Sequence, residues 1–271
     1  MVDPPSLGAA WAQALESRFH LLYDPQTPDP SVLRSLEAAT LLRDICDALE
    51  QGSLRITERL PEGWRTHGWV QLALTLLAGS GQLTVQPGVL PGTELNSLGW
   101  IAERSLEHRI PAGSLIRRGV YLAPGCIVMP PSVIQAGAHV GSGVLIDSHA
   151  LVGSGAVLEP GVAIGCGTMI GGVLAPAGTP GVILERGAIV GGNCGLYGSM
   201  IIAPETQIVA GTVIRSIAGV FDLRSGEWLW PGADGVLMIP TGLMIQMGVP
   251  PASAFPDGIQ RLTPLAASVQ T

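Results

Sequence analysis

The sequence contains no lysine, so every fixed positive side-chain charge in its 271 residues comes from arginine. Acidic residues outnumber basic ones by 21 to 14, which gives a formal net charge of -7. This balance argues against nucleic acid as a partner, because binding to phosphates favours a basic surface. An anionic small molecule must therefore be bound by arginine side chains or by backbone N–H groups.

Long hydrophobic runs and metal-binding motifs are also missing. No stretch of about 18 consecutive apolar residues exists, and the start, MVDPPSLGAA, lacks the basic and apolar regions of a secretory signal. We therefore expect a cytoplasmic protein with no membrane span. The four cysteines show no CxxC spacing, which favours reduced core or turn residues over a metal site or disulfides.

Glycine and proline are abundant instead, with 37 and 22 residues, yet a hydrophobic content of 47% and a regular repeat argue against disorder. An aliphatic residue occupies every sixth position in two runs that differ in phase by two residues. The runs are Leu122, Val128, Ile134, Val140, Ile146, Val152, Leu158, Ile164, Ile170 and then Leu184, Val190, Leu196, Ile202, Ile208, Ile214, Val220. The residue four places after each of these is small or β-branched in most units.

Two inward positions in six residues do not fit the 3.6-residue period of an amphipathic helix. They fit short strands joined by tight turns, three of which close one coil of about 18 residues that pairs with the next coil at ~4.8 Å. The pattern predicts a mainly β protein, and it resembles the hexapeptide repeat of the left-handed parallel β-helix. We assign this solenoid to residues 109–220, with a loop at 171–183 where the phase changes.

The flanking regions predict different structure. Residues 1–108 form a helical N-terminal domain, with one helix from Ser31 to Glu50 that has Ser31 as its N-cap, and a second at 69–78. Residues 221–271 form a C-terminal β cap, with a hairpin at 221–230 that turns at Ser225 and Gly226. A cap is needed because the end of a solenoid exposes unpaired strand edges.

Four segments carry a resemblance to one family. Residues 54–70 (LRITERLPEGWRTHGWV), 108–125 (HRIPAGSLIRRGVYLAPG), 146–154 (IDSHALVGS) and 169–176 (MIGGVLAP) resemble tetrahydrodipicolinate N-succinyltransferases of lysine and diaminopimelate biosynthesis. The resemblance implies an N-acyltransferase that uses succinyl-CoA or another acyl-CoA as co-substrate, with no permanently bound cofactor and no metal. It also implies a homotrimer with active sites between subunits and an amino dicarboxylate as the acceptor.

The resemblance assigns roles to individual residues. Asp147 matches the family's base-site aspartate, and a base is needed because the attacking amine must have a free lone pair. Arg109 matches an arginine that binds a substrate carboxylate, and Gly171 and Gly172 begin a loop that folds over the acyl-CoA arm. Arg215 lies in the later coils, where the phosphates of CoA are expected, as does Arg224; Arg117 and Arg118 have an ambiguous alignment.

Two departures from the family alter the expected chemistry. Gly195 stands where the family has a second active-site glutamate, and His149 replaces a tryptophan two residues after the base-site aspartate. His149 is the natural candidate to take over proton handling, since imidazole titrates near neutral pH. The structural alternatives are a polar turn residue for Asp147, a turn histidine for His149, and an ion pair with Glu103 or Glu107 for Arg109.

Three functions remain open from sequence. The first is succinyl transfer to tetrahydrodipicolinate, the second is acyl transfer to another amino-acid-like substrate, and the third is a degenerate solenoid that binds a ligand without turnover. A zinc-dependent carbonic anhydrase on the same scaffold requires three histidines. The repeat region contains only His139 and His149, which argues against this fourth function.

Overall fold

The computed structural model describes residues 9–24, 29, 31–32, 35–79, 108–248 and 266–270. Glu103, Glu107 and most of the tail after residue 248 lie outside these ranges. The N-terminal elements are α1 (Ala9–Leu22), α2 (Leu36–Glu50), β1 (Thr57–Leu60), β2 (Gly63–Thr66) and α3 (Gly68–Gly79). Their apolar faces form one core around Ile45 and Val70, both fully buried. None of these described helices is long and apolar enough to cross a membrane.

Helix α2 begins later than its sequence pattern suggested. Ser35 is the N-cap, because its extended backbone lets the hydroxyl oxygen accept a hydrogen bond from the Ala38 N–H at 3.1 Å. Ser31 instead lies in a preceding turn, where its own N–H donates to the Asp29 carboxylate. Leu36, the first residue of the helix, is exposed, whereas Leu41 is buried in the core.

Three faces of short parallel strands form the solenoid. The first face contains β4 (Tyr121–Leu122), β7 (His139–Val140), β10 (Val157–Leu158), β13 (Val182–Leu184), β16 (Met200–Ile202) and β21 (Leu237–Ile239). The second contains β5 (Ile127–Val128), β8 (Leu145–Ile146), β11 (Ala163–Ile164), β14 (Ile189–Val190), β17 (Gln207–Ile208) and β22 (Met244–Gly248). The third contains β3 (Leu115–Ile116), β6 (Val133–Ile134), β9 (Leu151–Val152), β12 (Met169–Ile170), β15 (Gly195–Tyr197) and β18 (Val213–Arg215).

The six-residue repeat fixes the register of these faces. Leu115 pairs with Val133, and Val133 pairs with Leu151, so each strand lies directly below its equivalent in the next coil. Every aliphatic repeat residue from Leu122 to Val220 is at most 2% exposed, and together they form one continuous core. The predicted left-handed parallel β-helix with a helical N-terminal region is confirmed.

The solenoid continues past the end of the repeat assigned from sequence. A hairpin follows β18, formed by β19 (Val220–Asp222) and β20 (Glu227–Leu229). The predicted hairpin is confirmed, but its turn comprises the four residues 223–226, because Asp222 pairs with Glu227. Strands β21 and β22 then add to the first and second faces, and they bury Ile239 and Ile245, again six residues apart. The hairpin is thus an insertion that hides the resumption of the repeat beyond residue 220. Strand β23 (Ala266–Gln270) pairs with β22 and β19 and covers their edges.

The N-terminal domain covers the first face of the solenoid. Trp64 packs against an outward apolar cluster that includes Val157 and Ile183. Its indole N–H donates to Glu185 at 2.9 Å, and the Arg59 guanidinium donates to the same carboxylate at 2.7 Å. The outward positions of the second and third faces carry exposed apolar side chains, such as Leu145, Met169, Ile189 and Val213.

Candidate active site

Asp147 lies on the turn that joins the second face to the third, between Ile146 and Leu151. It is half-buried, and its Oδ1 atom accepts a hydrogen bond from the Ser148 N–H at 2.7 Å. Its main-chain carbonyl accepts another from the Ser132 hydroxyl of the coil below, at 2.8 Å. The turn is therefore held by hydrogen bonds from Ser148 and from Ser132 of the coil below, and it presents the carboxylate at an edge of the prism.

His149 occupies the same turn with a left-handed backbone, at a φ of 63°. The equivalent turn of the next coil has Gly167 at this position, and the coil after that has Asn193, which are both residue types suited to such a backbone. A histidine here costs about 1 kcal/mol in strain. Its side chain is exposed while its N–H donates to the Pro131 carbonyl at 2.6 Å. Turn geometry therefore does not explain the choice of histidine.

Arg109 begins the first coil of the solenoid. Its backbone bridges to Ile127, which in turn pairs with Leu145, so Arg109 lies two coils, ~10 Å, from the strand that leads into the acidic turn. The side chain is exposed and forms no ion pair with any residue in the described ranges. Its proposed ion-pair partners, Glu103 and Glu107, lie outside those ranges.

Gly171 and Gly172 follow strand β12, at the opposite edge of the third face, where it meets the first face. A Cβ atom on Gly171 would lie 2.7 Å from the Leu196 carbonyl oxygen, and one on Gly172 would lie 2.4 Å from the Ser154 nitrogen. Both positions therefore require glycine for the coils to approach each other. Packing between the coils therefore explains why both residues are glycine, whether or not they also contact a ligand.

Tyr197 lies in the same column of the third face as two of the predicted site residues, Gly171 and Arg215. The register of the third face places it directly opposite Arg215 in the next coil, and Gly171 occupies the equivalent position in the coil below. The Tyr197 ring lies back over Gly195, so that a Cβ atom at 195 would lie 2.6 Å from its Cε2 atom. The phenol ring thus fills the space above Gly195, the position at which the family resemblance implies a second acid.

Other basic candidates are already engaged. Arg118 forms ion pairs with Asp47 and Glu50 of α2, and Arg224 pairs with Asp222 of its own hairpin. Of the arginines predicted to bind anions, Arg109 and Arg215 both have exposed side chains.

The two histidines of the repeat region do not come together. His139 lies on the first face, stacked on Tyr121 with 4.4 Å between ring centroids, whereas His149 lies at the edge between the second and third faces. Burial, with the positive charge of Arg55, lowers the pKa of His139 well below 6.5. His139 is therefore a neutral packing residue of the domain interface.

The cysteines behave as the sequence suggested. All four are free thiols, and Cys46, Cys126 and Cys194 are buried while Cys166 lies exposed on a turn. Burial raises the pKa of Cys46 to about 12 and that of Cys126 to about 11, which keeps both in the unreactive thiol form.

The predicted site residues therefore form two groups at two edges of the third face. Asp147 and His149 lie at the edge shared with the second face, and Gly171 and Arg215 lie at the edge shared with the first. Six residues of extended chain separate the two edges along one coil, which corresponds to a span of up to ~20 Å. Within one chain the two groups do not meet.

Sequence reasoning missed Gln71 on α3. This side chain is fully buried, and its amide nitrogen donates to the carbonyl oxygens of Val173 and Thr179 at 3.0 and 2.7 Å. Its oxygen accepts from the Gly178 N–H at 2.7 Å. The available signal was a single amide in the otherwise apolar helix at 69–78, because a buried polar side chain must find partners.

Comparisons with known proteins identify relatives. A scan against family models finds no match. The chain is 31% identical over 221 residues to the 2,3,4,5-tetrahydropyridine-2,6-dicarboxylate N-succinyltransferase of Paramagnetospirillum magneticum, an alignment that covers 78% of this chain and 76% of the relative. It is 26% identical to the enzyme of the same name from Parvibaculum lavamentivorans, with 82% and 80% covered.

Among solved structures, the chain is similar to a putative 2,3,4,5-tetrahydropyridine-2-carboxylate N-succinyltransferase from Campylobacter jejuni. That match has 14% identity and a TM-score of 0.49, and it covers 84% of this chain and 62% of the other. The alignment with the Paramagnetospirillum relative is extensive enough to assign a family. The chain belongs to the 2,3,4,5-tetrahydropyridine-2,6-dicarboxylate N-succinyltransferase family of hexapeptide-repeat acyltransferases.

Proposed function

We propose that this protein transfers the succinyl group of succinyl-CoA to the amine of tetrahydrodipicolinate after addition of water to the imine has opened the ring. The observation that carries the proposal is the turn at 147–150, where a carboxylate and an imidazole share one edge of the solenoid. Asp147 is held there by hydrogen bonds, and His149 occupies a backbone conformation that favours glycine. Strained residues of this kind cluster at functional sites.

The chemistry requires one proton transfer and one acyl transfer. The amine nitrogen attacks the thioester carbonyl carbon, the C–S bond breaks, and CoA leaves as its thiol. Asp147 accepts the proton from the amine, and His149 assists in its movement to the departing sulfur. Arg109 binds a carboxylate of the acceptor, since a guanidinium donates two parallel hydrogen bonds to such a group.

The acyl-CoA is assigned to the opposite edge of the third face. Arg215 binds a phosphate of CoA, while Gly171 and Gly172 lie beside the acyl arm. The spacing of the two groups supports sites that are shared between chains. In a homotrimer, the edge with Asp147 of one chain faces the edge with Arg215 of its neighbour. Exposed apolar residues on the second and third faces, such as Ile189 and Met169, support such an assembly.

The reaction is tested with purified protein, succinyl-CoA and tetrahydrodipicolinate, by following release of the CoA thiol. Asp147→Asn is expected to reduce kcat by about 10²-fold or more while it leaves the fold intact. Glu205→Gln, a change in an exposed turn residue at another edge, serves as the control. Full turnover by Asp147→Asn would overturn the assignment of the base.

Shared sites are tested by mixing subunits. Asp147→Asn and Arg215→Ala chains are each expected to be poorly active, but unfolding and refolding them together regenerates sites that take Asp147 from one chain and Arg215 from the other. Recovered activity in the mixture supports a site between subunits. A mixture no more active than its components contradicts it, and sedimentation then decides whether a trimer exists.

One observation favours a different acceptor. The Tyr197 ring occupies the space above Gly195, where the family resemblance implies a second acid, so an aromatic ring stands in place of a carboxylate at this position. Tetrahydrodipicolinate and other amino dicarboxylates are therefore compared at fixed succinyl-CoA. A higher kcat/KM for another amine identifies that amine as the substrate.

A further inference from the structure

The segment at 171–181 leaves the solenoid at the edge that we assign to acyl-CoA. It connects β12 to β13 and begins with Gly171, in the same column as Tyr197 and Arg215. Its apex, residues 175–178, is exposed to solvent. Nothing in the hexapeptide repeat fixes its conformation, so its position depends on contacts made elsewhere.

Those contacts come from the N-terminal domain. Gln71 of α3 satisfies three backbone groups of the segment at once, at Val173, Gly178 and Thr179. A Cβ atom on Gly68 would lie 2.8 Å from the Gly178 nitrogen, so the start of α3 is in close contact with the same stretch.

Two further hydrogen bonds hold the ends of the segment to the solenoid. The Val173 N–H donates to the Ser154 carbonyl at 3.1 Å, and the Ser199 hydroxyl donates to the Pro180 carbonyl at 2.7 Å. Leu174 also packs against the N-terminal core. The segment is therefore anchored at both ends and in the middle by contacts within the chain.

We propose that Gln71 is a positioning residue that fixes residues 171–181 as a preformed wall of the acyl-CoA site, rather than a lid that closes on the ligand. This inference rests on the proposed function, which places acyl-CoA at this edge. A wall that is ordered before binding lowers the conformational entropy lost on binding. Because Gln71 is fully buried and its three hydrogen bonds all go to the segment, its loss acts on acyl-CoA binding through the segment.

Two variants remove the anchor in different ways. Gln71→Leu deletes all three hydrogen bonds while it keeps the side-chain volume, and Gly68→Ala pushes against Gly178 without altering Gln71. Thr57→Val is the matched control, because it removes a buried hydroxyl of the same domain whose hydrogen-bond partner is Thr66, not the segment. Circular dichroism and thermal unfolding establish that each variant is folded.

Kinetics and hydrogen exchange are then measured on the full chain. Both Gln71→Leu and Gly68→Ala are expected to raise the KM for succinyl-CoA ~10-fold, with less than about a twofold change in the KM for the amine. Thr57→Val leaves both unchanged. Amide exchange at Gly178 is expected to be at least ~10-fold faster in Gln71→Leu and to be the same in the wild type with and without CoA.

The outcomes separate the two proposals. An active wild type whose Gln71→Leu variant keeps its KM for succinyl-CoA overturns this inference alone, as does strong protection of Gly178 that appears only when CoA binds. A wild type that releases no thiol from any acyl-CoA overturns the proposed function and this inference with it.

Discussion

The aromatic ring of Tyr197 lies over Gly195, two residues earlier on the same strand, so closely that a Cβ atom at 195 would be 3.0 Å from the phenol oxygen. The two residues therefore depend on each other. Gly195→Ala is expected to lower the free energy of unfolding by about 1 kcal/mol, because the half-exposed ring must swing outward. Urea unfolding measures this loss. In a Tyr197→Ala background the same change is expected to be neutral; an equal loss in both backgrounds contradicts the contact.

Because His149 has a left-handed backbone, its replacement by glycine is expected to lower activity without lowering stability. His149→Gly relieves backbone strain and is expected to leave stability unchanged or raise it by up to about 1 kcal/mol. It is expected to lower kcat ~10-fold or more if the imidazole moves a proton. Glu205→Gly is the matched control, since Glu205 has a φ of 58° at a different edge of the prism. Glu205→Gly should show the same change in stability and keep full activity. If both variants lose activity, the loss is due to the altered turn backbone and not to removal of the imidazole.

Glu185 is one of the polar contacts between the N-terminal domain and the solenoid. Its carboxylate is nearly buried and accepts hydrogen bonds from both Arg59 and Trp64. Glu185→Ala leaves the indole N–H unpaired and should lower the free energy of unfolding by about 2 kcal/mol. Glu159→Ala is the comparison, because Glu159 makes only a 3.5 Å contact to the half-exposed Arg59 and an exposed 3.0 Å hydrogen bond from the Arg186 N–H, so its loss should cost less than about 1 kcal/mol. Chemical unfolding followed by tryptophan fluorescence checks the order of the two effects.

His139 predicts a pH dependence of stability. Its folded pKa lies well below 6.5, so above about pH 7 both folded and unfolded states hold it neutral and it contributes no pH dependence. As the pH falls through 6.5, the unfolded state binds a proton that the folded state excludes, and stability drops by up to about 1.4 kcal/mol per pH unit. His139→Phe keeps an aromatic ring against Tyr121 and is expected to remove this component. Identical pH profiles for the two proteins between pH 7 and 5 would contradict the burial of a neutral imidazole.

The fold could be predicted because its determinants are local. Each coil contacts only its neighbours, so one aliphatic residue in six is enough to set strand, register and core. The same reasoning failed where the period was interrupted: the hairpin at 220–229 separates Ile214 from Ile239 and concealed the last coil. It also placed the start of α2 four residues too early, because Ser31 and Ser35 are equivalent as residue types and only the backbone decides which one caps the helix.

The candidate site was predictable in part. The resemblance identified Asp147, Arg109 and Arg215 as individual residues, and the structure places each on the surface at an edge or at the start of the solenoid. The sequence could not show which of these residues lie together. Residues at one edge of the solenoid come from different coils and are far apart along the chain, whereas the two edges of one face are only six residues apart along the chain.

The sequence by itself determined the scaffold: a repeat of six residues with two inward positions closes into a three-sided solenoid, and the absence of lysine limits fixed positive side-chain charge to arginine. The tertiary structure determined which side chains on that scaffold contact each other. It placed the Tyr197 ring over Gly195, buried His139 against Tyr121 and brought Gln71 to the segment at 171–181. These pairings join residues whose side chains interact through space, and the periodicity that encodes the coils carries no information about such contacts.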